Sequence, residues 1–163
     1  AQRPKRSIAF VWHAGTEQGL HGSAWFLRET PIRTDRIVAA LNVERLGRGG
    51  AALYAVGDRA NPSALRGVVT AQATRSNMLV DWSWDAAGDP WQRDCRSDHL
   101  NYRRIGIPAL TINSGVHADW RRPTDRIAAI DFTRYAARVT WLAELVRAVA
   151  DDATLRPKGR ARL

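Results

Sequence analysis

The sequence predicts a layered α/β fold with a mostly parallel central sheet flanked by helices. Three observations predict it. Short apolar runs at residues 8–12, 37–43, 53–56 and 108–113 read as strands, the first without polar alternation, as a strand covered on both faces shows. Helix-forming stretches lie between these runs, and strands alternating with helices make a layered α/β domain. The last long segment carries Phe132, Tyr135, Ala136, Val139, Leu142, Leu145, Val146 and Val149 at helical spacing, so it reads as an amphipathic helix.

The elements follow in order. After the run at 8–12, Gly15, Gly19 and Gly22 mark a tight turn into a helix that includes Ser23 to Arg28, and Pro31 ends it. The run at 37–43 is closed by Gly47, Gly49 and Gly50, and Leu53 to Val56 is a third short strand. Asn61, Pro62 and Ser63 read as a helix start, with the helix running to about Thr74. Residues 75–96 read as irregular; the loop holds Trp82, Trp84, Pro90 and Trp91, and clustered tryptophans cap a core edge more often than they bind a ligand. Ser97, Asp98 and His99 open a short helix ending near Gly106, a buried strand follows, and Asp131 is placed to cap the final helix. Neither internal repeats nor a domain boundary are visible, so residues 1–155 read as one domain and 156–163 as a basic tail.

A chain of 163 residues, 45% hydrophobic and 25% charged, is long enough for a core and unlike a disordered tail. Its apolar runs fall short of the roughly 20 residues that span a bilayer. The basic stretch at 1–6 and the run at 8–12 lack the core length and cleavage site of a signal peptide. The chain opens on Ala1, not Met, which fits a processed product or a piece. A buried-type strand so close to residue 7 predicts flanking strands upstream of Ala1, making this the second half of a larger fold. The lone Cys95 excludes an internal disulfide framework and has no base beside it, so it reads as inert.

The net charge is +9, and only Lys5 and Lys158 among the 25 basic residues are lysine. An anionic surface or a nucleic acid is therefore one class of partner. Against it, the arginines are scattered outside 156–162, aromatic residues do not alternate with them, and no zinc-finger or recognition-helix pattern is present. An arginine-rich solvated face is the simpler reading.

Three sets of motifs carry more. WHAGTEQGLHGS at 12–23 resembles the strand-to-helix turn of family twenty-eight of the zinc metallopeptidases, the leucyl-aminopeptidase type, a fold shared with glutaminyl cyclases and transferrin-receptor-like domains. LNVERLGR at 41–48 resembles that family's second metal-binding strand end. RSDHLNY at 96–102, GIP at 106–108 and GVHADWRRPTD at 115–125 resemble its last segments, in the same order. The resemblance runs to about residue 150 and implies a zinc-aminopeptidase-like fold. In the family, two zinc ions lower the pKa of a bridging water and a glutamate takes its proton.

Position by position, the resemblance implies lost chemistry. The family's upstream histidine and bridging aspartate have no counterpart here. Thr16 stands where the family has its base, and a hydroxyl cannot serve as one at neutral pH. Glu17 stands at the ligand glutamate, and Glu44 replaces a ligand aspartate with a carboxylate one methylene longer. Arg121 stands at the ligand histidine and Trp120 at the tyrosine that would steady the oxyanion. His117 matches a second loop histidine and reads as an ordinary loop histidine or as a substitute ligand, while Asp98, His99 and Asp125 match supporting positions, the first two also readable as residues that only hold the loop. His13 and His21 read as packing or surface histidines. Arg121 is expected to pair with Glu17 or Glu44, since carboxylates without metal need a cation.

The expected function is accordingly a non-catalytic relative of zinc aminopeptidases, without cofactor, that serves as a structural or interaction subunit with a protein partner or larger assembly. The alternative is a zinc-dependent aminopeptidase, or a fragment of one, that hydrolyses N-terminal residues of peptides. Because the family is commonly exported, the expected location is extracytoplasmic.

Overall fold

A computed structural model of the chain describes residues 3–59, 63–87, 93 and 96–157. The helices are α1 (His21–Glu29), α2 (Ala64–Arg75), α3 (His99–Arg104) and α4 (Phe132–Asp151). The strands are β1 (Ala40–Glu44), β2 (Leu53–Val56), β3 (Val80–Asp81) and β4 (Ala109–Asn113), joined into one sheet in the order β1-β4-β2-β3. β1 runs parallel to β4 and β2 to β3, while β2 and β4 are antiparallel. The expected mostly parallel α/β layering is therefore present, with one antiparallel seam at its centre.

Side-chain alternation along β4 sets the two helix layers, because successive residues of a strand point to opposite faces. Leu110 and Ile112 face a core with Leu53 and Ala55 of β2, Leu65 and Val69 of α2, and Trp141, Leu142 and Leu145 of α4. Ala109 faces the other way, packing with Tyr102, Ile107 and the partly buried Phe26 and Leu27 of α1. With both faces covered, all of β4 is buried, its two polar residues Thr111 and Asn113 included. Complete burial of a side chain such as Leu145 contributes about 1.5–3 kcal/mol.

The caps are local. Ser63 accepts from Leu65 N at the start of α2, and Asp131 accepts from Arg134 N at the start of α4, as its sequence position predicts. Asn61 and Pro62, with which the α2 start was expected to open, lie outside the described residues, as do Pro90, Trp91, Cys95 and residues 158–163. At the far end of α4, Arg6 donates to the carbonyls of Ala150 (3.1 Å), Asp152 (2.6 Å) and Leu155 (2.9 Å). A cation there satisfies orphan carbonyls and complements the helix dipole.

Three expectations need correction. Residues 8–12 form no strand, and Phe10 and Trp12 are 75% and 87% exposed. Their apolar run marks a surface fit for burial, but among the described residues no strand lies beside it. Residues 75–96 are not wholly irregular: Val80–Asp81 pairs with β2, and a 3-10 turn follows at Ser83–Asp85. The stripe on α4 is exposed through Phe132, Tyr135, Ala136 and Val139, because the sheet underlies only the later turns. The buried face runs instead through Arg138, Trp141, Leu142, Leu145 and Val149.

Candidate functional site

β1 and β4 are parallel, so their carboxyl ends lie side by side, with Glu44 opposite Asn113. In α/β sheets such strand ends are where ligands bind. Here they border a cleft of about 840 Å³ that also takes in the turn before α1 and the loop after β4.

The turn before α1 is fixed by close backbone packing. Gly22 N donates to Ala14 O at 2.8 Å, and a Cβ on Gly22 would stand 2.3 Å from that oxygen. Asn101 of α3 then ties the helix start down through Leu20 O (3.0 Å) and Ser23 Oγ (2.8 Å). Thr16 and Glu17 are thereby held at the cleft edge. Thr16 donates to the buried Asp98 at 2.5 Å, which ties the turn to the start of α3. His99, fully buried, shares a hydrogen bond of 2.7 Å with Thr111 of β4. His13 meets the Tyr102 hydroxyl at 3.0 Å. Burial lowers the His13 pKa against the opposing pull of Asp98, and burial raises that of Tyr102 to about 12, with Asp98 adding to it.

Both glutamates line the cleft, and both are engaged by protein groups. Glu17 accepts from Arg121, an ion pair whose partners are 67% and 60% exposed. Glu44 accepts from the Ser97 hydroxyl and from Asn42 Nδ2 (2.9 Å), with Arg45 Nη2 at 3.2 Å. Of the two carboxylates offered to Arg121 by the sequence, the structure pairs it with Glu17.

The loop after β4 carries the remaining candidates. Trp120 and Arg121 line the cleft, and His117 does not. His117 Nε2 lies 3.7 Å from Asp125, whose carboxylate also accepts from Arg48 at 2.7 Å. Arg48 binds Asp119 as well, at 2.6 Å, and with the Thr124 hydroxyl holds that carboxyl below its ordinary range. Arg48 thus joins the loop after β1 to the loop after β4, and Asp125 supports the cleft wall from outside it.

Sequence reasoning missed several residues. Asn42 precedes Glu44 by two positions on a strand, so both side chains share a face, a signal that period-2 reading supplies. Ser97 had a motif but no assigned role. Tyr54 stacks on Trp84 at 4.0 Å to wall the cleft, a pairing across 30 residues without any local signal.

The described residues do not fit a zinc pair. None of its four histidines lines the cleft, and among the described residues no three His, Cys, Asp or Glu side chains converge. The carboxylates at 17 and 44 are each matched with a guanidinium.

One carboxylate, Glu44, ends a parallel strand, and another, Glu17, lies in a glycine-bearing turn into a helix, so that both border one cleft of an α/β domain. The chain belongs to peptidase family M28, whose family model matches residues 1–146. Its fold is similar to that of the LapA aminopeptidase of Legionella pneumophila, with TM-score 0.67 and 17% identity over 88% of this chain and 39% of that one. It is similar also to BSAP, a zinc aminopeptidase from Bacillus subtilis, with TM-score 0.64 and 18% identity over 91% and 36%. An aminopeptidase from Aneurinibacillus sp. strain AM-1 gives TM-score 0.62 and 17% identity over 91% and 34%. The chain therefore spans less than two fifths of the length of these three relatives. No curated protein sequence matches it.

Proposed function

We propose that this chain is a non-hydrolytic M28 domain that works as a structural or interaction subunit. The observation that carries the proposal is the Arg121–Glu17 pair: a permanent cation neutralises a carboxylate where the family resemblance implies a metal ligand. Thr16, at the position of the base, donates its hydroxyl to Asp98 and offers no proton acceptor of suitable pKa. Trp120 brings no hydroxyl to the oxyanion position.

The second reading, a piece of a zinc-dependent aminopeptidase, draws on a separate observation. Glu17 and Glu44 border one cleft, and the solved aminopeptidases are more than twice as long as this chain. Elemental mass spectrometry after dialysis against zinc separates the two, run beside an assay on aminoacyl p-nitroanilides. The proposal expects no stoichiometric zinc and no hydrolysis. One or two zinc ions per chain, with turnover, would overturn it.

A further inference from the structure

Three segments meet along the cleft: the turn before α1 with Glu17, the end of β1 and its loop with Glu44 and Arg45, and the loop after β4 with Trp120 and Arg121. Their side chains form one continuous series. Arg121 donates to Glu17, and its guanidinium lies 4.5 Å from the centre of the Trp120 ring. The Arg45 guanidinium lies 5.5 Å from the same ring, and Arg45 Nη2 stands 3.2 Å from Glu44. Two carboxylates balance two guanidinia, so the series is neutral although two cations approach one indole. Both arginines adopt left-handed backbone conformations, with φ of 49° and 61°, a sparsely populated region that surrounding contacts must hold. The inner end is the firmer one. Glu44 and Arg45 are 23% and 30% exposed, and Glu44 is held by Ser97 and Asn42 as well. Glu17 and Arg121 stand mostly in water, where an ion pair contributes little by itself. Glu17, Glu44 and Arg121, one from each segment, occupy three positions at which the family resemblance implies metal ligands.

We infer that this series of carboxylate, guanidinium, indole, guanidinium and carboxylate is a clasp. It joins the turn before α1 to the end of β1 through the loop after β4, in the place of the metals that the resemblance implies there. Each cation–π contact is worth roughly a factor of two to five in an equilibrium constant, so the clasp holds by running through one ring and not by any single contact. The inference rests on the reading that this is a non-hydrolytic domain whose cleft takes no zinc.

Amide hydrogen exchange of the full chain, read by nuclear magnetic resonance, tests it. The amides of Gly19 and Leu20, bonded to Thr16 O at 3.3 and 3.2 Å, report on the turn. Trp120→Leu should speed exchange at both roughly fivefold or more, since it removes both ring contacts. Arg45→Gln should speed it roughly twofold to fivefold at the same amides, which Arg45 reaches through Trp120 and Arg121. Added to Trp120→Leu, Arg45→Gln should change exchange there no further, because the series is already broken. Arg33→Gln, whose partner Asp35 does not line the cleft, should leave both amides as they are. If Arg45→Gln does not fold, judged by circular dichroism, Trp120→Leu decides, because its ring reaches the turn through Arg121. Exchange that neither variant moves overturns the inference, and so does an Arg45→Gln effect that persists in full beside Trp120→Leu. Zinc added to the parent protein keeps the two proposals apart, and it should leave both amides unmoved. Exchange slowed by one or two zinc ions per chain would remove the non-hydrolytic reading beneath, whereas unresponsive variants without any zinc effect remove only the clasp.

Discussion

Arg138 shows what one residue does in this fold. Its side chain is 1% exposed, and it donates to the carbonyls of Leu46 (2.6 Å), Arg48 (2.8 Å) and Gly50. Those carbonyls belong to the loop that carries Arg48 to Asp119 and Asp125, so Arg138 anchors the cleft wall from the helix beneath it. Arg138→Met preserves much of the volume and strips three acceptors of their donor. Since each buried polar group left unpaired costs about 1–3 kcal/mol, urea unfolding should show a loss of about 3 kcal/mol or more. His13 acts through its protons. Burial lowers its pKa from 6.5, so the unfolded chain binds the proton more tightly than the folded one. The resulting stability is present above pH 6.5 and is lost as pH falls below it. Thermal melts should therefore show a fall in Tm between pH 7.5 and pH 5.5 that is smaller in His13→Gln; an equal fall in both proteins would remove His13 as the cause.

At the scale of elements, the loop after β1 is shaped by one glycine. Gly49 has φ of +86°, and a Cβ there would stand 2.0 Å from Ser114 O at the end of β4. Its neighbour Gly50 would meet nothing within 4 Å. Gly49→Ala should cost about 2 kcal/mol or more in denaturant unfolding, while Gly50→Ala should stay within about 0.5 kcal/mol. Equal effects would mean that the approach of this loop to β4 is not fixed by the glycine. The same loop shows what a sequence does and does not disclose. Its three glycines mark the end of a strand, but nothing local says that Arg138, some 90 positions on, fills the space below. β4 keeps Thr111 and Asn113 between its apolar residues, whereas β2 is legible because burial on both faces removes polar alternation. Residues 8–12 carry that same signal and lie exposed, so the pattern reports suitability for burial and not burial itself. β3 is only two residues long, too short to leave a period. On α4 the apolar stripe reads in phase only where the sheet lies under it, and an arginine at the centre of the buried face disguises that face. In the cleft, the Arg121–Glu17 pair is legible through the family resemblance alone. The Ser97–Glu44 contact needs two segments 53 positions apart to meet.

The molecule as a whole leaves unusually large apolar groups in water. Besides Phe10 and Trp12, Ile8 and Val11 are 38% and 39% exposed, so five consecutive positions present four large apolar side chains. Trp25 on α1 and Val43 on β1 are 58% and 43% exposed, and β1 pairs only with β4 among the described residues. Single exposed apolar residues are ordinary, but a consecutive group makes a patch of the kind that drives association. An edge strand with free backbone groups adds a second route to pairing. Sedimentation velocity on this chain should consequently show mass rising with concentration. The double variant Phe10→Ser with Trp12→Ser should shift that rise to higher concentration without moving the unfolding midpoint, because both side chains contribute surface and not core. Two outcomes argue against the patch. A monomer at all concentrations would mean that residues 8–12 find a covering surface within the chain itself. Association unchanged in the double variant would move the contact to the β1 edge, where a proline in place of Val43 should then abolish it.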